Sequence, residues 1–194
     1  YYYQKLHDMT PHQSVTNRLQ QAFRAFDEYN KQDPSSFVWE SQAYPTEYFL
    51  SLKLHEWVSK LAPQASETLL LASRCQHIGR WEIPRDEYPR DREGYLMWRK
   101  ALSLHHAEKA AQILESVGYP TEAIERAKHI LLKRKLKADP EVQIMENALC
   151  LVFLQFQYED FWPQHTDKIV DILRKSLKKM DAEGHRYALQ LEYS

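Results

Sequence analysis

The 194-residue chain is long enough for one domain with its own hydrophobic core, and 43% of its residues are hydrophobic. Its 26 basic residues nearly balance its 27 acidic ones, which leaves a formal net charge of -1 at pH 7. Nucleic-acid-binding proteins usually carry a basic excess, so nucleic acid is not indicated as a partner. We expect a single helical domain over residues 1–194, with its core over residues 44–180.

The chain has only two cysteines, Cys75 and Cys150, each inside an apolar stretch and neither part of a CxxC pair. This pattern is typical of free thiols in a reducing compartment rather than of disulfides or a zinc site. The first ten residues lack the basic start and apolar block of an export signal, and no apolar run approaches the roughly 18 residues that span a membrane. We expect an intracellular, cytoplasmic protein without membrane contact, with the nucleus as the alternative.

Helical periodicity is the main structural pattern, because the chain has only four glycines and few runs of alternating polarity. It predicts an all-α, single-domain bundle of about seven helices, in which the first helix packs on the core formed by the others. The predicted helices span residues 14–30, 45–62, 66–79, 91–117, 121–132, 139–156 and 166–180.

Local signals support several of these boundaries. Ser66 and Asp139 suit N-cap positions, Pro45 and Pro140 suit first turns, and Gly118 can end the fourth helix. The sixth helix contains the run VQIMENALCLVFLQF, which is apolar nearly all round. This predicts that the sixth helix lies at the centre of the bundle.

The segment over residues 80–95, RWEIPRDEYPRDREGY, shows no period and contains two prolines, which predicts a long ordered loop. Cations in and after this segment suit a phosphate, since guanidinium groups match phosphate oxygens, and the ring of Trp81 can stack on a base. Ion pairs with neighbouring acids, and aromatic rings that anchor the loop to the core, are the alternatives. The cations are Arg80, Arg85, Arg99 and Lys133.

Four polar side chains fall on the apolar faces of four separate predicted helices, and a bundle can bring such groups together as a metal or acid–base site. An unpaired buried carboxylate is costly, so Glu146 needs partners, and an ion pair with Arg or Lys is its alternative explanation. For His106 the alternative is a hydrogen-bonded core histidine. The four side chains are Glu47, His77, His106 and Glu146.

The motifs of several common enzyme classes are absent from the sequence. It contains no phosphate-binding glycine loop, no GxSxG, no Rossmann fingerprint and no HExxH. Their absence argues against nucleotide-loop kinases, serine hydrolases, dehydrogenases and zincins.

Three stretches, LASRCQHIGRWEIPR, HHAEKAAQILESVGYP and QIMENALCLVFLQF, resemble a family of small bacterial and fungal proteins known only as a domain of unknown function. The match extends from DEYNKQDP near the N-terminus to Gly184-His185, and HIGRWEIPR is its most specific part. This resemblance implies one helical domain and supplies no reaction.

A more distant similarity is to the HD superfamily of metal-dependent phosphohydrolases. QHIGR resembles the HDIGR of that superfamily, HAEKAAQIL resembles its following helix, which carries an extra histidine, and QIMENALCL resembles the helix that bears its last aspartate. The chain departs from the pattern at Gln76-His77, at Glu146-Asn147 and at Glu47, which stands near the position of the first histidine.

The HD similarity implies an HD-like hydrolase of a small phosphorylated metabolite or nucleotide. His77, His106 and Glu146 would then bind a divalent metal ion such as Mn, Fe or Zn, and Glu82 or Glu47 would act as general base. The alternative is a non-catalytic module that binds a ligand or a protein on the same scaffold, and an oxidative metal enzyme is a third possibility. The substrate or its phosphate would contact Arg80, Trp81, Arg85, Arg99 and Lys133.

Overall fold

The computed structural model describes the backbone of residues 11–192 and the side chains of residues 17–192, and this part of the chain is predominantly helical. The all-α prediction is therefore confirmed. The single-domain prediction also covers residues 1–10 and 193–194, which lie outside the described residues. The helices are α1 (Pro11–Asn30), α2 (Thr46–Leu61), α3 (Glu67–Cys75), α4 (Arg92–Ser116), α5 (Thr121–Leu131), α6 (Pro140–Val152), α7 (Tyr158–Phe161), α8 (Ile169–Lys179) and α9 (Ala182–Ala188). Between residues 11 and 192 no helix is both long and apolar enough to cross a membrane.

One antiparallel hairpin interrupts the helices and was not predicted. Its strands are β1 (Ser36–Trp39) and β2 (Gln42–Pro45), with Ser36 opposite Pro45. The two turn residues between them have positive φ angles, which suit a tight hairpin turn. Strands of four residues are too short to give a clear alternation of polarity, so the hairpin depends on the packing of Phe37 against Phe49 of α2.

The centre of the fold is α6, as the sequence predicted. Nine of its residues are buried, and it packs against α2, α3, α5, α8 and α9. Its N-terminus is capped by Asp139, whose side chain accepts hydrogen bonds from the backbone of Glu141 and Val142. Helix α1 packs across α2, α3 and α4.

Helix α3 ends earlier than predicted, and the turns that follow it position His77 and the loop beyond it. The helix ends at Cys75 rather than near Gly79, and tight turns follow, with Ile78 N donating to Cys75 O at 3.1 Å. Gly79 has a φ of 69°, and a Cβ atom there would lie 2.8 Å from Nε2 of His105. The chain thus reverses direction immediately after His77 and enters the predicted loop, which contains two short 3₁₀ turns.

The chain after α6 also departs from the prediction. Helix α6 ends at Val152 rather than near residue 156, and a π turn over Phe153–Gln157 follows it. Helix α8 lies at the surface and has no buried residue. Helix α9 was not predicted, because its seven residues are too few to show periodicity. It is held by Asp181, which caps it and accepts a hydrogen bond from Asn147.

Candidate functional site

A cleft of about 960 Å³ lies between the start of α2, the segment after α3 and the surface of α6 and α8. The structure brings eight of the ten predicted site residues to the lining of this cleft. Glu82 and His106 are not among the lining residues. The eight are Glu47, His77, Arg80, Trp81, Arg85, Arg99, Lys133 and Glu146.

His77 lies where the cations of the cleft converge. Burial lowers the pKa of its imidazole well below the usual value, and the charges of Arg80, Lys133 and Arg99 lower it further. The imidazole is therefore neutral at physiological pH. Glu146 offsets the charge of Lys133, so the positive potential beside the neutral ring comes mainly from Arg80 and Arg99, and an anion complements it.

His106 lies beside His77. Its side chain is buried, and Nδ1 donates a hydrogen bond to the carbonyl oxygen of Ile78 at 2.7 Å. Burial lowers the pKa of His106 to about 4, although the hydrogen bond to Ile78 opposes the shift. The ring centroids of His77 and His106 are 5.6 Å apart. His106 thus has the structural role of a hydrogen-bonded core histidine.

Glu47 is a buried carboxyl group in the first turn of α2. Its backbone N–H donates to Oδ2 of Asp33 at 2.9 Å, and its Oε1 lies 3.8 Å from Nε of Arg80. Burial raises the pKa of Glu47 to about 7; the charge of Arg80 opposes this rise and that of Asp33 adds to it. Both protonation states are therefore populated near neutral pH, which suits a group that exchanges protons.

Glu146 is ion-paired with two lysines. Its side chain is 2% exposed, and its oxygens lie 2.6 Å from Nζ of Lys133 and 3.5 Å from Nζ of Lys179. Burial raises the pKa of Glu146, but the two lysines outweigh burial and hold that pKa below its usual value. Lys133 adopts a φ of 53° just beyond α5. In the structure Glu146 is therefore a buried ion-pair partner of lysine, which was the alternative to its role as a metal ligand.

The indole of Trp98 in α4 supports two arginines of the cleft. The guanidinium carbons of Arg80 and Arg85 lie 5.4 Å and 5.8 Å from the centroid of its ring, and its Nε1 donates to the carbonyl oxygen of Ile83. Among residues 17–192, neither Arg85 nor Arg99 has a carboxylate within 4.0 Å. Their charges remain uncompensated by acidic side chains of the described chain.

A family model matches residues 20–194, nearly the whole chain, and its description is a domain of unknown function, DUF4202. The chain belongs to this family. The membership predicted from the stretch HIGRWEIPR and its companions is confirmed. No curated protein and no solved structure matched the DUF4202 chain.

The predicted metal site is not assembled in the DUF4202 chain. Between residues 17 and 192, no group of three or more His, Cys, Asp or Glu side chains is placed to hold a metal ion. Glu146 is ion-paired with Lys133. The cations around His77 would repel a divalent ion. Among residues 17–192, His77, His106 and Glu146 are therefore not placed together as a metal site, and metal binding stays a prediction.

Glu82, one of the two predicted general bases, is engaged outside the cleft. Its carboxylate accepts a hydrogen bond from the hydroxyl group of Tyr29 and lies 2.8 Å from Nε2 of His105 and 3.4 Å from Nζ of Lys109. Burial opposes ionisation of Glu82, but Tyr29 and Lys109 outweigh it and lower the pKa. These contacts tie the chain after Gly79 to α1 and α4, which argues for a structural role.

Lys179 is a cleft residue that no sequence pattern singled out. Lys179 lies at the end of a surface helix, where no sequence feature distinguishes it from its neighbours. Trp81, which was predicted to stack on a ligand, packs against Tyr29 with the ring centroids 5.8 Å apart.

Proposed function

We propose that the DUF4202 chain binds a small phosphorylated molecule in the cleft, with its phosphate beside His77. The observation that supports this proposal most directly is that Arg80, Arg99 and Lys133 line the same cleft as His77. Their charges lower the pKa of His77, whose imidazole is neutral. Guanidinium and ammonium groups are the side chains that bind phosphate oxygens most strongly. The cleft volume of about 960 Å³ accommodates a ligand of metabolite size.

Ligand binding is preferred here to metal-dependent hydrolysis. The expected hydrolase needs the metal set that the side-chain geometry does not assemble, whereas anion binding uses the cations that line the cleft. Phosphate-ester hydrolysis stays a prediction. If it occurs, Glu47 is the cleft group whose pKa, about 7, suits proton transfer to a leaving oxygen.

The compartment proposed for this function is the cell interior. Cys75 and Cys150 are both free and buried, and burial raises the pKa of each thiol. Free thiols of this kind are typical of proteins in a reducing compartment. Phosphorylated metabolites are also concentrated inside cells, which agrees with the proposed ligand class.

Replacing Arg99 by alanine is expected to weaken binding of phenyl phosphate by about tenfold, because one charged contact to phosphate contributes roughly 1.5 kcal/mol. The measurement is isothermal titration calorimetry in a chelator-containing buffer at low ionic strength. Arg99 is exposed and has no carboxylate partner within 4.0 Å among residues 17–192, so the variant should fold normally.

The matched control is Lys100→Ala, which removes the same charge from the next residue of α4. Lys100 is exposed and does not line the cleft. It should bind phenyl phosphate within about twofold of the parent protein, since a distant surface charge is screened by salt. Equal losses in both variants, or no binding by the parent protein, would overturn the proposed function.

A further inference from the structure

A second concavity, of about 650 Å³, opens beside the cleft between the start of α4 and α8. We call it the outer pocket. Arg85 and Tyr95 line both the cleft and the outer pocket, so the two spaces are contiguous. A single elongated ligand can therefore occupy both. The outer pocket is lined by Arg85, Arg90, Asp91, Arg92, Tyr95, Leu96, Lys168 and Lys175.

The outer pocket carries positive charge that the described chain does not neutralise. Its one acidic residue, Asp91, caps α4 by accepting a hydrogen bond from Gly94 N at 2.7 Å. Within residues 17–192, Arg92, Lys168 and Lys175 have no carboxylate within 4.0 Å. Arg92 in the first turn of α4, Lys168 just before α8 and Lys175 within α8 thus line one space without a carboxylate partner in the described chain.

The wall of the outer pocket also offers apolar surface. Tyr95 is 46% exposed and its neighbour Leu96 is 56% exposed. Exposed aromatic and aliphatic side chains beside unpaired cations match a molecule with a carbon skeleton and a terminal anion. The carbon skeleton would pass over Tyr95, which lies at the junction of the two spaces.

We propose that the ligand carries two anionic groups at opposite ends, one beside His77 in the cleft and the other in the outer pocket near Lys168 and Lys175. This inference rests on the proposed function, because it extends the same ligand beyond its first phosphate. Linking two weak anion contacts through one skeleton makes the second contact intramolecular and raises the overall affinity.

The test is calorimetric titration of the parent protein with a series of linear alkanediol bisphosphates of increasing length, each compared with the alkyl monophosphate of the same length. A bisphosphate that spans the two subsites should bind at least about tenfold more tightly than its monophosphate. Shorter bisphosphates should lack this advantage, because they cannot reach both subsites. Equal affinities across the whole series would overturn the inference.

The variant that isolates the outer pocket is Lys168→Ala/Lys175→Ala. It should lose the advantage of the bisphosphate and leave the monophosphate affinity within about twofold of the parent value. Its control, Arg174→Ala/Lys178→Ala, removes two exposed cations of α8 that line neither space. The same loss in the control would show long-range charge attraction and contradict a defined subsite.

The outcomes separate the two proposals. Binding of monophosphate that depends on Arg99, without any gain for bisphosphates, would sustain the proposed function and overturn the second subsite. Binding of bisphosphates that is insensitive to Arg99→Ala would overturn both. A single-stranded ten-nucleotide RNA is included as a competitor, and tighter binding of that RNA than of every bisphosphate would contradict a small ligand.

Discussion

Replacing Lys133 by methionine is expected to lower the free energy of unfolding by about 2 to 4 kcal/mol, because it leaves the buried carboxylate of Glu146 without its nearest cation. The Nζ atom of Lys133 lies 2.6 Å from the Glu146 carboxylate, whose side chain is 2% exposed. The remaining lysine, Lys179, is farther away, at 3.5 Å, and is half exposed. Urea unfolding followed by circular dichroism at neutral pH measures the loss.

Two further variants control this experiment. Lys179→Met should cost less than about 1 kcal/mol, since an exposed partner contributes little. Adding Glu146→Gln to Lys133→Met should recover part of the lost stability, because the amide removes the uncompensated charge. If Lys133→Met and Lys179→Met cost the same, the assignment of Lys133 as the principal partner of Glu146 would be wrong.

Replacing Glu47 by glutamine is expected to change how stability depends on pH. Glu47 has a pKa of about 7 in the folded chain, against an ordinary value of 4.5, which applies in the unfolded chain. Between these values the folded state retains a proton that the unfolded state has released. The parent's free energy of unfolding therefore loses this contribution as the pH rises through the window, by up to about 3 kcal/mol.

The Glu47→Gln variant has no such proton, so it should become progressively more stable relative to the parent protein as the pH is raised from 4.5 to 8. Urea unfolding at half-unit steps of pH gives the difference. The depressed pKa values of His77 and His106 act in the opposite sense and weaken the fold at low pH, but both proteins share them. The control is Glu108→Gln, on an exposed face of α4. A difference curve identical to that of the control would contradict the buried, protonated Glu47.

Much of the site was predictable from the sequence because it depends on helix faces. His77 and Glu146 lie on apolar stripes, and the loop after α3 carries Arg80 and Arg85 within a few residues. Periodicity and proline spacing therefore placed these groups inward and near one another. Caps such as Asp139 were also predictable, because capping involves only neighbouring residues.

The partners of Glu146 were not predictable. They are Lys133, which itself has a positive φ just after α5, and Lys179 at the end of α8. Tertiary packing decides such pairs, and local periodicity carries no information about them. The same limit applies to the role predicted for Glu82. Its sequence position suggested a general base, whereas in the fold it pairs with His105 and Lys109.

The protonation of His77 tests the central claim, that an anion binds among Arg80, Lys133 and Arg99. The measurement is an NMR titration of the histidine imidazoles against pH, with and without saturating inorganic phosphate, using His77→Gln to assign the signal. Bound phosphate offsets the cations that depress the pKa of His77, so that pKa should rise by about one unit or more. A His77 titration that is the same with and without phosphate would contradict anion binding at this site.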